Sequence, residues 1–442
     1  MRKIKFIDLF AGLGGIRIGF EQALKKYEFE PECVFTSEIK PYAVDAYGKY
    51  FNEKNIYGDI TKIPSEKIGY FDFLLAGFPC QAFSTAGKGL GFADARGTLF
   101  FEIERLLKYW QPTGFLLENV DGLFNHDKGR TLDVILHKLH DSGYIVSYKI
   151  LDGKDFGLAQ SRKRIYIVGT KNAEINLRNF SPKAAVLKDI LESSLPTNDT
   201  AFSRALLSHY KPHELLGKSI KDKRGGTNNI HSWDIGLKGE VSSEQKKLLK
   251  SLLRERRKKH WAEQIGIKWM DGMPLTAKQI STFYECENLE YLLEDLVKKG
   301  YIVKEHPKKL ENGKRIQDVT KPKGYNIVAG KLSFEFTKIL DPNDIAPTLV
   351  AMDVDKLGVV DGNGVRKLCI REGMRLFGFP ENYDLSFLNA KDAYDLLGNT
   401  VCIPVIEAVA SRLCETICKE SFEEAEDETL ISAINYWFVK TE

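Results

Sequence analysis

Four side chains have types and settings that could do chemistry together: Cys80, Glu118, Arg162 and Arg164. Cys80 closes the run Phe73-Leu74-Leu75-Ala76-Gly77-Phe78-Pro79-Cys80, where an apolar stretch reads as a buried strand and the cysteine falls just past its end. A cysteine at the carboxyl end of a strand stands where a nucleophile belongs, although a cysteine seen alone is more often a buried, inert thiol. The residues beyond it include Gly87, Gly89, Gly91 and Gly97, the composition of a loop that can close over a site. Glu118, in Glu118-Asn119-Val120, follows another apolar run and puts a carboxylate at the same edge. Gln160-Ser161-Arg162-Lys163-Arg164 places two arginines at alternate positions, on one side of the chain if the stretch is extended. A solvated charged face explains that last motif equally well.

A second set of residues has the pattern of a ligand cradle. Asp8-Leu9-Phe10-Ala11-Gly12-Leu13-Gly14-Gly15 runs a strand into a glycine-rich turn and then a helix, which lets backbone approach a ligand. Glu38 follows the next strand, where an acid can accept from ribose hydroxyls. Asp59, in Gly58-Asp59-Ile60, is placed to accept from an adenine amino group. Taken singly, each of these carboxylates is more often a helix cap or a surface charge.

Short apolar runs must position these groups. The spacing predicts strands over Lys5–Phe10, Cys33–Ser37, Phe71–Ala76, Gly114–Leu117, Ile145–Leu151 and Arg164–Gly169, with helices such as Ile16–Lys26 and Leu132–Asp141 between them. Alternating strand and helix predicts an α/β fold, with a mostly parallel sheet covered on both faces and ligands at the carboxyl ends of its strands. The pattern breaks after residue 175. Residues 176–346 are lysine-rich and carry Arg254-Glu255-Arg256-Arg257-Lys258-Lys259-His260 near Trp261 and Trp269. From residue 347 to 442 the α/β character returns, with a helix expected over Pro404–Lys419 and a solvated acidic stretch at Glu423–Glu428. The chain therefore reads as one α/β domain, residues 1–175 closed by 347–442, with a basic insert.

Within the insert, residues 275–336 read as a helix-turn-helix with a wing. Thr276 caps a helix through Phe283, and Glu285-Cys286-Glu287-Asn288 forms the turn. Leu289–Lys299 repeats Leu289, Leu292, Leu293, Leu296 and Val297 at helical spacing and ends at Gly300. Tyr301–Val303 and Tyr325–Val328 supply the wing strands around the lysine-rich Lys308–Lys323. A lysine-rich helical hairpin that merely supports a cleft is the plain alternative. The cluster Arg256, Arg257, Lys258 and Lys259 is expected to contact phosphates.

Bulk properties narrow the class. Apolar residues at 43% and charged residues at 28% are ordinary for a globular protein, and no apolar run approaches bilayer length, so no membrane partner is expected. The amino terminus shows no secretion signal. A net charge of +3 fits a nucleic-acid partner without demanding one. The seven cysteines form no C-x-x-C pair. Cys414 and Cys418, one helical turn apart, have no companion ligands, so no metal is expected, and a reducing cytosol suits the set.

The ordered segments IDLFAGLGG, GFPCQAFS, GFADARGTLFFEI, ENV, QSRKR, RLFGFP and GNTVCIPV resemble the bacterial DNA cytosine carbon-5 methyltransferase family. They occur in the family's usual order and cover both ends of the chain, leaving the insert outside. The resemblance implies an S-adenosylmethionine-dependent methyltransferase (Rossmann-like) doubly wound sheet with a smaller target-recognition domain. It implies Cys80 as nucleophile, Glu118 as the acid on the cytosine ring nitrogen, and Arg162 and Arg164 steadying a base flipped from duplex DNA. Phe10, Ala11, Gly12, Gly14, Gly15, Glu38, Ile39, Asp59, Ile60, Pro79, Leu99 and Asn399 match positions lining the S-adenosyl-L-methionine pocket.

Two positions depart from some members: Ile39 replaces a tryptophan against the adenine, and Ala86 replaces a serine in the loop. The family further implies a monomer in a prokaryotic cytoplasm, associated with the nucleoid, in a restriction-modification system whose endonuclease is separately encoded. A transfer-RNA methyltransferase is the alternative, disfavoured by the large basic insert. An inactive DNA-binding relative is disfavoured by the presence of Cys80, Glu118, Arg162 and Arg164.

Overall fold

A computed structural model describes residues 2–79, 99–268, 272–311, 314–328, 334–351 and 354–418. Cys80, Ala86, the glycines that follow them, Trp269 and the acidic stretch Glu423–Glu428 lie outside the described residues.

The apolar runs of the first half become one seven-stranded sheet. Its strands are β1 (Lys3–Leu9), β2 (Glu30–Ser37), β3 (Ile56–Tyr57), β4 (Phe73–Gly77), β5 (Gly114–Val120), β6 (Ile145–Asp152) and β7 (Lys163–Thr170), in the order β3-β2-β1-β4-β5-β7-β6. The first five run parallel, while β7 pairs antiparallel with both β5 and β6. Central strands of such a sheet are covered on both faces, which is why Phe6–Leu9 and Phe73–Ala76 are buried without alternation. The helices α1 (Gly15–Lys26), α2 (Pro41–Phe51), α3 (Leu99–Trp110) and α4 (Arg130–Asp141) provide the covering layers. On α3, Phe100, Ile103, Leu106 and Leu107 form the buried stripe, and on α4 Leu132, Ile135 and Leu139 do so. These stripes meet Leu74, Phe115 and Leu117 in one core. Strand order reverses between β1 and β4, so a crevice opens at their carboxyl ends, the usual ligand position in open α/β sheets.

The described chain forms two compact units, the first Met1–Leu191, Asn343–Val354 and Cys369–Glu442, the second Glu192–Pro342 with Asp355–Leu368. The insert expected over 176–346 therefore differs at its edges. Residues up to Leu191 stay with the first unit, and a hairpin from the expected C-terminal part joins the second. That hairpin has a reason to move. In the second unit's sheet β8 (Ser219–Ile220), β9 (Asn229–Ile230) and β14 (Lys338–Ile339) meet β15 (Leu357–Asp361) and β16 (Gly364–Lys367), and β14 pairs with β15. The first unit ends its described part in a helix over residues 403–418, with Pro404 in the tolerated first turn.

The rest of the second unit is built around a leucine core. Helices α5 (Ala201–His209), α6 (Ser243–Glu255), α7 (His260–Gln264), α8 (Ala277–Ser281) and α9 (Leu289–Lys298) precede β10 (Ile302–Glu305), β11 (Lys308–Glu311), β12 (Lys314–Gln317) and β13 (Gly324–Ile327). Thr276 caps α8 by accepting from the Gln279 amide, and Gly300 follows α9 in the left-handed region. β10 pairs antiparallel with β13, Leu275 bridges to Tyr325, and β11 pairs antiparallel with β12. Leu248, Leu252, Ile280, Leu293, Leu296 and Ile327 close a shared core beneath them. One expectation fails here. Arg256 is 4% exposed and donates to Asn326 Oδ1 at 2.5 Å, so it ties α6 to β13 and cannot be a free phosphate contact. Lys258 pairs with Glu255 at 2.8 Å.

Candidate active site

β4 and β5 lie in register so that Gly77 pairs with Glu118. A Cβ added at Gly77 would stand 3.3 Å from Ile16 Cδ1 and 3.7 Å from Glu118 Oε2, so the glycine lies directly alongside the carboxyl. Glu118 is 8% exposed, and Arg164 Nε lies 3.1 Å from its Oε1. The sheet creates this pair. Tyr166 faces Glu118 across β5 and β7, and Arg164, two residues earlier, is its diagonal neighbour on the same face. Burial pushes the Glu118 carboxyl above its ordinary pKa, while Arg164 and Arg162 pull it partly back. The result is a carboxyl that holds its proton nearer neutrality and is oriented by a permanent cation. Such a group can donate a proton to a ring nitrogen that gains charge.

Asn119, quoted in the sequence motif without a role, is a positioning residue. Its Nδ2 donates to the Phe78 carbonyl at 3.3 Å, fixing the chain just after β4. Pro79, partly buried, follows at once, and Cys80 is the next residue, outside the described set. The available signal was alternation: on a strand, the neighbour of Glu118 must face the other way.

Arg162 and Arg164 do different jobs. Arg162 is 2% exposed and donates to the carbonyls of Leu349 at 2.6 Å, Thr400 at 2.8 Å and Gly398 at 3.2 Å. Its neighbours behave alike. Gln160 donates to Leu376 O and accepts from Leu349 N, and Thr348 Oγ1 donates to Ser161 O. Most of this motif therefore binds the C-terminal part of the first unit to the sheet. Arg162 acts on Glu118 only at a distance, through its charge.

The glycine-rich turn has the same division of labour. Gly14 and Gly15 are required by packing, since an added Cβ would come within 2.4 Å of Phe51 and 2.8 Å of Val401. Gly12, at φ 54°, has nothing within 4 Å of that position, and Gly58 is equally open. Phe10 also takes a positive φ, 56°, a conformation a non-glycine residue holds only under constraint. The Glu38 carboxylate accepts from the amides of Gly12, Ile39 and Lys40, each at 2.8 Å. A carboxylate has about four lone-pair sites, so capacity for a hydroxyl donor remains. Ile39 is 71% exposed beside it and offers an apolar wall.

Asp59 Oδ1 is occupied by Thr61, leaving Oδ2 towards Lys62 at 3.5 Å. Ile60, the next residue, is 2% exposed and packs in the core. Asn399 is exposed and donates to Asp395, which also accepts from Lys40 and Tyr42, so the Glu38 and Asn399 segments are tied together. Ala11 and Leu99 are partly buried, at the turn and at the start of α3. An open backbone face, an acid with one acceptor site to spare and an exposed apolar side chain together fit a nucleoside-bearing ligand.

Behind the turn lies a buried network that the sequence did not announce. Asp8 accepts from Tyr47, which also accepts from Arg17. Burial raises the Asp8 carboxyl to about 7, against the pull of Arg17. Among the described residues no group of three or more His, Cys, Asp or Glu could hold a metal, and no helix is long and apolar enough to cross a membrane.

Comparison with known proteins identifies the family. A family description, C-5 cytosine-specific DNA methylase, matches residues 4–415. The Type II methyltransferase M.NlaIV of Neisseria lactamica is 57% identical over 424 residues, covering 94% of this chain and 100% of the relative. The Type II methyltransferase M.BanI of Aneurinibacillus aneurinilyticus is 44% identical over 447 residues, 95% of this chain and 98% of the relative. Among solved structures, a methyltransferase of Entamoeba histolytica, EhMeth, is similar in fold with a TM-score of 0.53 at 16% identity, over 94% of this chain and 99% of that one. With a match across nearly its whole length and relatives aligned end to end, the chain belongs to the C-5 cytosine-specific DNA methylases and is a DNA cytosine-5 methyltransferase.

Proposed function

We propose that this chain methylates carbon 5 of a cytosine flipped out of duplex DNA, with Cys80 as nucleophile and Glu118 as acid. The observation that carries the reading is the buried Glu118 carboxyl, paired with Arg164 and set beside the end of the strand that leads to Cys80. Cytosine carbon 5 is a poor nucleophile. Addition of the Cys80 thiolate to carbon 6 gives the ring enamine character, and Glu118 relieves the charge by donating its proton to the ring nitrogen. Arg164 keeps its own proton throughout and holds Glu118 in place. Once carbon 5 has taken up the methyl group, loss of its remaining proton expels the thiolate from carbon 6 and restores the aromatic ring, and the ring nitrogen returns its proton to Glu118. The target base is stacked within the duplex, so it must leave the stack to reach these groups.

Gly12, Glu38, Ile39, Asp59 and Asn399 would hold S-adenosylmethionine, which supplies the electrophilic methyl group when bound. The open backbone at Gly12 and Gly58 supports that assignment. The second unit is proposed as the target-recognition domain. The Type II names of the relatives support a place in a restriction-modification system beside a separately encoded endonuclease.

Three measurements test the reading. Cys80→Ser should abolish methyl transfer while DNA and donor binding persist; near-normal turnover would exclude Cys80 as nucleophile. A target duplex carrying 5-fluorocytosine blocks loss of the carbon-5 substituent and should leave a denaturation-resistant adduct. Bisulfite sequencing of DNA from an expressing host identifies the methylated site.

A further inference from the structure

The second unit carries a winged helix whose charges are distributed the wrong way round for the common docking mode. In helix-turn-helix proteins the second helix usually lies in the major groove, close to phosphates of both strands. Here that helix is α9, and with its preceding turn it carries Glu285, Glu287, Glu290, Glu294 and Asp295 against Lys298. The favourable site for an anion at its amino end is already taken by Glu287 and Glu290. Glu294 is spent on the wing's base, where it accepts from Tyr325 at 2.7 Å and faces Lys304 at 3.3 Å.

The wing is the opposite. Residues 308–323 hold six Lys or Arg and two acids. One of those acids, Asp318, is buried and accepts from Thr320; the other, Glu311, pairs with Lys309 at 3.2 Å. Every described residue of β11 and β12 is exposed. The register puts Lys308 opposite Gln317 and Leu310 opposite Arg315, so one face of the ribbon presents Lys308, Leu310 and Arg315 with no acid on it. Among the described residues Lys308 and Arg315 form no ion pair. Leu310 stands 57% exposed between them, a group suited to sugar or thymine-methyl contact.

We propose that the wing ribbon β11–β12, and not helix α9, is the element of this unit that engages duplex DNA, through Lys308 and Arg315 on phosphates and Leu310 in a groove. This rests on the reading of the second unit as the DNA-recognition unit. The test measures binding of the full-length protein to its target duplex and to an unrelated duplex across a salt series. Lys308→Ala with Arg315→Ala should weaken binding to both and lower the slope of log affinity against log salt by about 2, at roughly 0.9 per phosphate contact. Glu290→Gln with Tyr291→Ala should leave affinity and methylated site unchanged. A carboxylate can accept from a cytosine amino group, so loss of binding or a changed site in the α9 variant overturns the proposal, as does a normal slope in the wing variant. Should alanine loosen the ribbon, visible as a lowered melting temperature, Lys308→Gln with Arg315→Gln gives the same readout. Exchange of residues 192–342 and 355–368 for those of a relative of different specificity separates the two readings. A changed methylation site with a normal wing variant removes the wing alone; an unchanged site removes the recognition unit as well.

Discussion

Replacing Arg162 by methionine separates a structural tie from a substrate contact. The guanidinium's bonds to Leu349, Gly398 and Thr400 all end on main-chain carbonyls, so the variant strands three acceptors in the interior of the first unit. A buried polar group left unsatisfied costs about 1–3 kcal/mol, which places the gross loss between about 3 and 9 kcal/mol. One effect opposes this. Burial, with the like charge of Arg164 beside it, pushes the Arg162 guanidinium down to about 10, a sign that the cation itself is held at a cost. Removing that cation offsets part of the loss. The expected net loss lies toward the lower end of that range, about 3 kcal/mol, large for a single substitution. Urea unfolding followed by tryptophan-independent far-ultraviolet dichroism reads it, as a lower midpoint at unchanged slope. Donor affinity should fall with it, because Asn399 sits between two of the released carbonyls. Turnover of the donor-saturated enzyme should change much less. A variant as stable as wild type whose saturated turnover collapses would refute the argument and make Arg162 a group that touches the reacting base.

Three further outcomes follow from the site. Glu118→Gln should lower turnover by about a hundred- to ten-thousand-fold, the usual contribution of a general acid, with DNA binding retained. Wild-type turnover should also fall as pH rises through the raised Glu118 pKa, and the glutamine variant should lack that limb; a shared pH profile would remove Glu118 from proton transfer. Glu38→Ala should weaken S-adenosylmethionine binding by about ten- to a hundredfold, from the loss of about 1.5–3 kcal/mol of hydrogen bonding to a charged acceptor; equal affinity by calorimetry would place the ribose elsewhere. Asp8 titrates at about 7 when folded against 3.8 unfolded, so its contribution to stability is full below about 3.8 and is lost as pH rises through about 7. The stability of wild type relative to Asp8→Asn should decline across that window, and a difference independent of pH would mean that Asp8 is ionised throughout.

The elements that were legible from sequence are those whose reasons are local. The run Phe73–Gly77 is buried on both faces and so reads as a strand, and leucines at helical spacing before Gly300 read as α9 because propensity, stripe and cap agree. The arginines show where that ends. Arg162 and Arg164 are the same residue two positions apart, yet one serves Glu118 and the other serves three carbonyls contributed by residues 349, 398 and 400. No pattern within Gln160–Arg164 encodes the difference, because the acceptors arrive from distant chain. Arg256 makes the same point with the opposite sign. Inside a run of cations it looks solvated, but Asn326 on β13 draws it into the interior, while the exposed charge lies on the wing. The hairpin β15–β16 follows this logic at the scale of a unit, since its partner β14 precedes it by a stretch of chain that belongs mostly to the first unit. Residue type and spacing therefore identify which groups can do chemistry, and pairing across the sheet decides which of them meet the substrate. At β4 and β5 that pairing sets Glu118 beside Gly77, three residues before Cys80, which is the adjacency that the proposed acid and nucleophile, far apart in sequence, require to act on one ring.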